Sequence, residues 1–224
     1  MENIATKYEF AVIATDTVLF AMIEDELKVL LIEMNKFPFV GSWAAPGGLV
    51  KANESVDEAA RRNFKERAGV VSVYTEQLYT FGKINRDPFG RVVSVAYMGL
   101  TADKDLRVKA GKEYKGIKWF NVYDLPKLAY DHDEVIATAL ERLRSKLEYT
   151  NIVFKLLPKE FTMHELQKTY EVIRGEKLDK RNFQKKVLKI DMVEKLDKKQ
   201  LGSAHRPAQL FTAKNTDVVQ LNVL

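Results

Sequence analysis

Cysteine is absent from the 224 residues. That excludes disulfide frameworks, thiolate-bound zinc, iron–sulfur clusters and cysteine nucleophiles. Histidine is scarce: His132, His164 and His205 stand far apart, which argues against a His-rich metal site. No apolar run approaches the roughly 18 residues a membrane span requires. The opening stretch, MENIATKYEF, lacks the basic-then-apolar pattern of a secretory signal. With 11 Gly and 6 Pro, collagen-like and low-complexity chains are excluded. The expectation is a soluble cytoplasmic protein with no membrane partner.

What is present is enough apolar material for a real core, 46% of the chain, with 30% charged residues of both signs. A chain this long removes roughly 70% of its unfolded surface from water. The net charge of +5 is unevenly placed. Residues 1–149 carry 21 Lys+Arg against 22 Asp+Glu, net −1, and residues 150–224 carry 15 against 9, net +6. Such a split points to two units, 1–149 and 150–224, the second suited to a polyanion. A basic face that only meets solvent is the plainer alternative.

The first unit reads as strands with two helices. Tyr8–Ile23 and Leu27–Met34 flank a polar Glu24-Asp25-Glu26 turn, as in a hairpin. The stretch 37–48 holds Pro38, Gly41, Pro46, Gly47 and Gly48 and reads as irregular chain. Ser55-x-x-Glu58 is a capping box opening a helix that Gly69 ends. Strands are expected over 70–83, 91–100 and 115–122, and a helix over 133–147, where Ile136, Leu140, Leu143 and Leu147 recur at helical spacing. The sum is an α/β (α+β) mixed-sheet domain.

Residues 47–70, GGLVKANESVDEAARRNFKERAGV, resemble the Nudix box, G-x5-E-x7-R-E-U-x-E-E-x-G-U with U apolar. Gly48, Glu54, Arg62, Phe64, Gly69 and Val70 fall on its frame, and Trp43–Gly48 resembles the family's lead-in. The resemblance implies that three glutamates should carry divalent metal. Here Asn63 replaces the first, Glu66 keeps the second and Arg67 replaces the third. Mg²⁺ takes oxygen ligands, and pyrophosphate hydrolysis needs it to neutralise charge and activate water. An amide and a guanidinium in place of two carboxylates shift the local charge by about three units. The helix face of Arg62, Asn63, Glu66 and Arg67 then suits an anion, with Gly48 and Arg86 completing a candidate ligand site and no catalytic or metal-binding set. The competing reading is an active hydrolase, in which Glu66, the residual catalytic candidate, with Asn63 and an outside carboxylate such as Glu113 would hold Mg²⁺. Only that reading calls for a cofactor.

The tail changes character. Thr162-x-x-Glu165 opens a helix with Met163, Leu166, Tyr170 and Ile173 on one stripe, and Gly175 ends it. Asp179 caps the next helix, which carries Phe183, Val187 and Ile190 on one side. Arg181, Lys185 and Lys189 lie opposite, with Lys180, Asn182 and Lys186 beside them. Two β-like stretches follow around a turn at 202–207 that presents His205 and Arg206. Apolar behind and donors in front is what a DNA recognition helix requires, and helix–helix–helix–strand–turn–strand is a winged helix-turn-helix order. An ordinary amphipathic helix with a solvated basic face is the alternative.

A degenerate Nudix domain followed by a winged helix resembles the Nudix-related transcriptional regulators of bacteria. The likeness extends to NRDPFGRVVSVAY (85–97), LDKRNFQKKV (178–187) and HRPAQLF (205–211). It implies a homodimer whose first domain senses a small molecule and whose tail binds palindromic double-stranded operator DNA. Some members respond to ADP-ribose and control NAD metabolism, and others respond to L-arabinose and control sugar use.

Overall fold

A computed structural model describes residues 10–70, 73–103, 114–200 and 207–221. The apolar run at the start forms β1 (Val12–Ile23), joined by a tight turn to β2 (Glu26–Met34). Glu24 and Asp25 both take positive φ, 53° and 60°, the twist a two-residue hairpin turn requires. The Pro/Gly-rich segment yields two short strands, β3 (Trp43–Ala44) and β4 (Gly47–Leu49), where irregular chain is expected. β3 pairs antiparallel with β2 and β4 pairs antiparallel with β1. β5 (Tyr74–Phe81), β6 (Val92–Thr101) and β7 (Tyr114–Asn121) complete a seven-stranded sheet ordered β3-β2-β1-β6-β5, with β4 on β1 and β7 on β2.

Helix α1 (Val56–Ala68) forms where the capping box predicts it. Ser55 Oγ accepts the amide of Glu58, and the Glu58 carboxylate accepts the amide of Ser55 at 2.8 Å. Gly69 closes the helix at φ 73°, a left-handed turn that costs glycine nothing. α1 buries Ala60, Phe64 and Ala68 against Leu19, Leu30, Val70 and Tyr97. Fully burying a side chain such as Leu or Phe contributes about 1.5–3 kcal/mol. Helix α2 (His132–Tyr149) turns Ile136, Leu143 and Leu147 inward, with Val135 and Ala139 beside them.

The chain forms two compact units. One gathers residues up to Leu19, Val29–Gly99 and the segment ending at Ala139; the other gathers Phe20–Lys28, the end of β6 from Leu100, and the chain from Leu140. The division therefore falls inside α2.

In the second unit a short 3-10 helix (Ile152–Leu156) precedes β8 (Phe161–Thr162), α3 (Met163–Arg174), α4 (Lys180–Ile190), β9 (Val193–Lys199) and β10 (Gln209–Ala213). The three strands pair antiparallel in the order β8-β10-β9, one strand more than the sequence suggests. Both helix starts are as expected: Thr162 and Glu165 make a reciprocal capping box, and Asp179 accepts the amide of Asn182 at 2.8 Å. Leu166, Tyr170 and Ile173 of α3 are buried. Asn151 fastens the C-terminal segment, donating to the carbonyls of Asn215 and Asp217 and accepting the amide of Val219.

Candidate functional site

The first unit contains a cavity of about 490 Å³. That is the size range of small-molecule sites. Gly47 and Gly48 of β4 form one wall, and at Gly47 the Thr15 backbone and Asp16 leave no room for a side chain. A Cβ on Gly47 would lie 2.5 Å from Asp16 Oδ1 and 2.8 Å from the Thr15 carbonyl. One on Gly48 would lie 2.9 Å from Arg67 Nη2.

Arg67 enters this cavity from α1. Its Nη1 donates to the Tyr114 hydroxyl at 2.6 Å, its Nε to Asn63 Oδ1 at 3.3 Å, and its guanidinium lies 5.5 Å from the Tyr114 ring centroid. Arg86 also lines the cavity and is only 7% exposed. It clasps Asp131 with two hydrogen bonds, Nε to Oδ2 at 2.9 Å and Nη2 to Oδ1 at 2.7 Å, and reaches Asp16 Oδ2 at 3.0 Å. Among the described residues, Arg86 Nη1 keeps both N–H groups unspent.

Asp16 is the hub of this set. Burial alone would push its carboxyl up, but His132, Arg86 and the Ser94 hydroxyl outweigh burial and hold it well below the usual carboxylate range. Ser94 Oγ donates to Asp16 Oδ2 at 2.6 Å. His132 Nδ1 lies 2.9 Å from the Ala45 amide nitrogen, and its Nε2 faces Asp16 Oδ1 at 3.5 Å. Tyr130 packs against Phe39 with the rings tilted by 48° and centroids 4.3 Å apart, and it adopts φ 55°. For a bulky residue that conformation costs about 1–3 kcal/mol and persists where packing over-determines it.

Of the six ligand candidates in the sequence, the structure gathers Gly48, Arg67 and Arg86 around this cavity. Arg62, Asn63 and Glu66 do not line it. Arg62 grips Glu54 with Nε at 2.9 Å and Nη2 at 2.6 Å, and also donates to the Leu49 carbonyl at 3.0 Å. Asn63 is wholly buried and donates to Thr15 Oγ1 at 2.6 Å. Glu66 is exposed and sits 3.6 Å from Arg62. The four residues share a helix and are linked through Arg62 and Asn63 Oδ1, but only Arg67 reaches the cavity. Asp16, Tyr114, Tyr130, Asp131 and His132 were not among the candidates. The one signal for them was Asp16, a lone charge inside an otherwise uncharged strand.

These donors do not fit the divalent metal that Nudix hydrolases carry. Glu66 faces solvent, Asn63 is committed to Thr15, and a guanidinium occupies the third position. Among the described residues no group of three or more His, Asp or Glu side chains is placed to hold a cation. Glu113 lies outside the described residues.

The Glu54–Arg62 clasp carries a pH prediction. Arg62 and the Lys51 amide pull the Glu54 carboxyl from 4.5 down to about 2. A depressed folded-state value means the contribution is complete above the ordinary value and is lost as pH falls through the folded one. Thermal melts should therefore show Glu54→Gln less stable than the parent at neutral pH, with the gap closing as pH falls from 4.5 towards 2. A gap that does not change with pH would refute the clasp.

In the second unit, Lys180, Arg181, Asn182, Lys185, Lys186 and Lys189 of α4 are all exposed, and Val187 is buried on the opposite side. Among the described residues none of these five cations is in an ion pair. Neighbouring Arg174, Lys177, Lys198 and Lys214 are paired with Glu176, Glu171, Glu160 and Asp191. β9 adds exposed Lys195, Lys198 and Lys199. The ribbon continues to the backbone bond between Gln200 and Ala208. His205 and Arg206 at its tip lie outside the described residues.

Comparison with known proteins agrees with this division. The NUDIX domain model matches residues 14–140, and the NrtR DNA-binding winged helix domain model matches residues 153–213. A Nudix sheet with a cavity of small-molecule size, followed by a winged helix with an exposed basic helix, is the architecture of a ligand-responsive transcriptional regulator. An ADPR responsive transcriptional repressor of Acinetobacter baylyi is 32% identical over 208 residues, 91% of this chain and 82% of the relative. The chain belongs to the NrtR family of Nudix-related regulators. The crystal structure of Shewanella oneidensis NrtR with a 27mer DNA superposes with a TM-score of 0.76 at 32% identity, covering 90% of this chain and 93% of that one. The NUDIX domain of the same protein complexed with ADP ribose superposes with a TM-score of 0.56 at 33% identity, covering 62% of this chain and 92% of that one. No described helix is long and apolar enough to cross a membrane.

Proposed function

We propose that the cavity of the first unit is the effector site, that it takes ADP-ribose without cleaving it, and that α4 and the β9–β10 ribbon hold operator DNA. The observation that carries this is Arg67, a guanidinium beside Gly48 where a hydrolase places a metal-binding carboxylate. Arg pairs with phosphate in bidentate fashion. Arg86 and exposed Lys36 add cations to the same cavity, and Tyr114 and Tyr130 add aromatic faces for a base. ADP-ribose is the ligand bound in the structure of the Shewanella oneidensis NUDIX domain, and the size and charge of the cavity here are compatible with it. No metal is required in this reading. A second copy of the chain is the partner we infer, because a palindromic operator needs two recognition helices. Phe10, Val12 and Ile13, with Leu49 of the neighbouring strand, are exposed apolar residues suited to it. The place of action is the cytoplasm, where operator DNA lies.

Phosphorus NMR of ADP-ribose with stoichiometric protein and Mg²⁺ tests the reading. Shifted or broadened diphosphate signals with no phosphomonoester are expected. Arg67→Met should weaken binding by about 10- to 100-fold, the worth of a hydrogen bond to a charged group. New phosphomonoester signals would establish hydrolysis and overturn the sensor. An unchanged spectrum would exclude ADP-ribose and favour a sugar such as L-arabinose.

A further inference from the structure

Two sets of polar groups line the cavity of the first unit. One is cationic, Arg67 of α1 and exposed Lys36. The other surrounds Arg86, and there the balance of charge is reversed. Arg86 is paired with Asp16 at 3.0 Å and with Asp131 at 2.7 Å, and Asp87, next in the chain, adds a third carboxylate at the cavity wall. Three carboxylates to one guanidinium leave an excess of negative charge, which a proton on His132 would reduce but not cancel.

Three groups of this second set still have hydrogen-bonding capacity. Arg86 spends Nε and Nη2 on the aspartates and keeps Nη1. Asp87 Oδ1 accepts the Phe89 amide at 2.8 Å, which fixes the carboxylate and leaves Oδ2 without a partner among the described residues. The Tyr130 hydroxyl is also unbonded among them. Burial, and then the Asp87 carboxylate, push this phenol above its ordinary value of 10, so it remains a neutral O–H. Asp87 and Tyr130 are half-buried. Among the described residues, the side-chain polar atoms that are both sealed from solvent and unbonded are Glu76 Oε1 and Tyr170 Oη. Arg86 Nη1, Asp87 Oδ2 and Tyr130 Oη are therefore within reach of a ligand.

A phosphate at Asp87 would meet a like charge. A carboxylate only accepts and a guanidinium only donates, whereas a hydroxyl does both. Neighbouring hydroxyls therefore satisfy Asp87 and Arg86 together, and an O–H donated to a carboxylate makes one of the short, strong class of bonds. We propose that Asp87 and Arg86 hold the vicinal hydroxyls of a ribose, with Oδ2 accepting from them and Nη1 donating to them, while the diphosphate is left to Arg67 and Lys36. This contact rests on the cavity being the effector site. It makes Asp87 a specificity residue, which accepts a neutral sugar and rejects a phosphorylated one at that place.

The test is calorimetric titration of the full chain with ADP-ribose and with ADP, the parent against Asp87→Asn. Asparagine keeps Oδ1 for the Phe89 amide, so the turn should persist and thermal melts should superimpose. The sign of the change then separates the possibilities. A hydroxyl contact loses its charge assistance, so the variant should bind ADP-ribose about tenfold more weakly. A phosphate at this place would bind more tightly once the carboxylate is gone, and a role confined to the turn would leave affinity unchanged. Either of those results overturns the proposal. The ADP arm tells the two riboses apart: a loss confined to ADP-ribose assigns Asp87 to the terminal ribose, and an equal loss on ADP assigns it to the ribose of the nucleoside. A parent that binds neither nucleotide removes the effector reading, and this contact with it.

Discussion

Replacing Arg86 by methionine is expected to cost about 3–5 kcal/mol of stability at neutral pH, the usual penalty for breaking a buried charge pair by removing one member. The side chain is 4% exposed and makes three charge-assisted hydrogen bonds, two to Asp131 and one to Asp16. Methionine fills much of the volume but leaves two carboxylates without their shared cation. Asp16 suffers most, because Ser94 and His132 cannot replace a full charge. Its carboxyl, held well below the ordinary range in the parent, should rise in the variant. The parent's depressed value contributes stability above the ordinary carboxylate range and loses it in acid. The variant lacks part of that contribution, so the gap should narrow as pH falls. Urea unfolding at pH 7 and pH 3 measures both effects, because the Asp16 contribution is lost only below the ordinary carboxylate value of 3.8. Adding Asp16→Asn should recover part of the loss, the signature of a coupled pair. A loss under about 1 kcal/mol at pH 7 would mean that the network is not what holds the cavity floor.

The parts of this protein legible in the sequence are those fixed by local chemistry. Ser55 with Glu58, Thr162 with Glu165, and Asp179 each cap a helix through partners three residues away, so spacing alone locates them. Gly69 announces the end of α1 because only a left-handed turn fits there. The exposed cations of α4 follow from helical period against buried Val187. The proposed effector site is different, because its parts meet only on folding. Asp16 and Arg86 are 70 residues apart, and Arg86 and Asp131 are 45 apart. No periodicity connects them. Arg62 and Asn63 show the converse: adjacent in sequence, they are claimed by Glu54 and Thr15. The short strands β3 and β4 were hidden because Pro46, Gly47 and Gly48 read as loop. What holds them in the sheet is antiparallel pairing, β3 with β2 and β4 with β1, and at Gly47 the backbone approaches Thr15 and Asp16 as closely as only glycine permits.

Operator binding should be governed by α4, and Arg181→Ala is expected to cost about 1–3 kcal/mol on the cognate site. Arg181 lies in the first turn of α4, the part of a recognition helix that meets base edges. Bidentate Arg–guanine contact discriminates among bases, so the loss should be larger on the operator than on random DNA. Lys185 and Lys189, further along the exposed side, suit phosphates. Their alanine variants should weaken binding to all sequences alike and lower the salt slope by about one each. The five unpaired cations of α4 with those of β9 can neutralise on the order of six phosphates, which implies roughly a thousandfold loss in affinity from 50 to 200 mM salt. None of these substitutions should disturb folding, since each side chain is exposed and alanine is the best helix former. Fluorescence anisotropy across a salt series with cognate and scrambled duplexes separates the two kinds of residue. If Arg181→Ala lost equally on both duplexes, Arg181 would be a phosphate contact. If affinity were flat with salt, α4 would not be the DNA face at all.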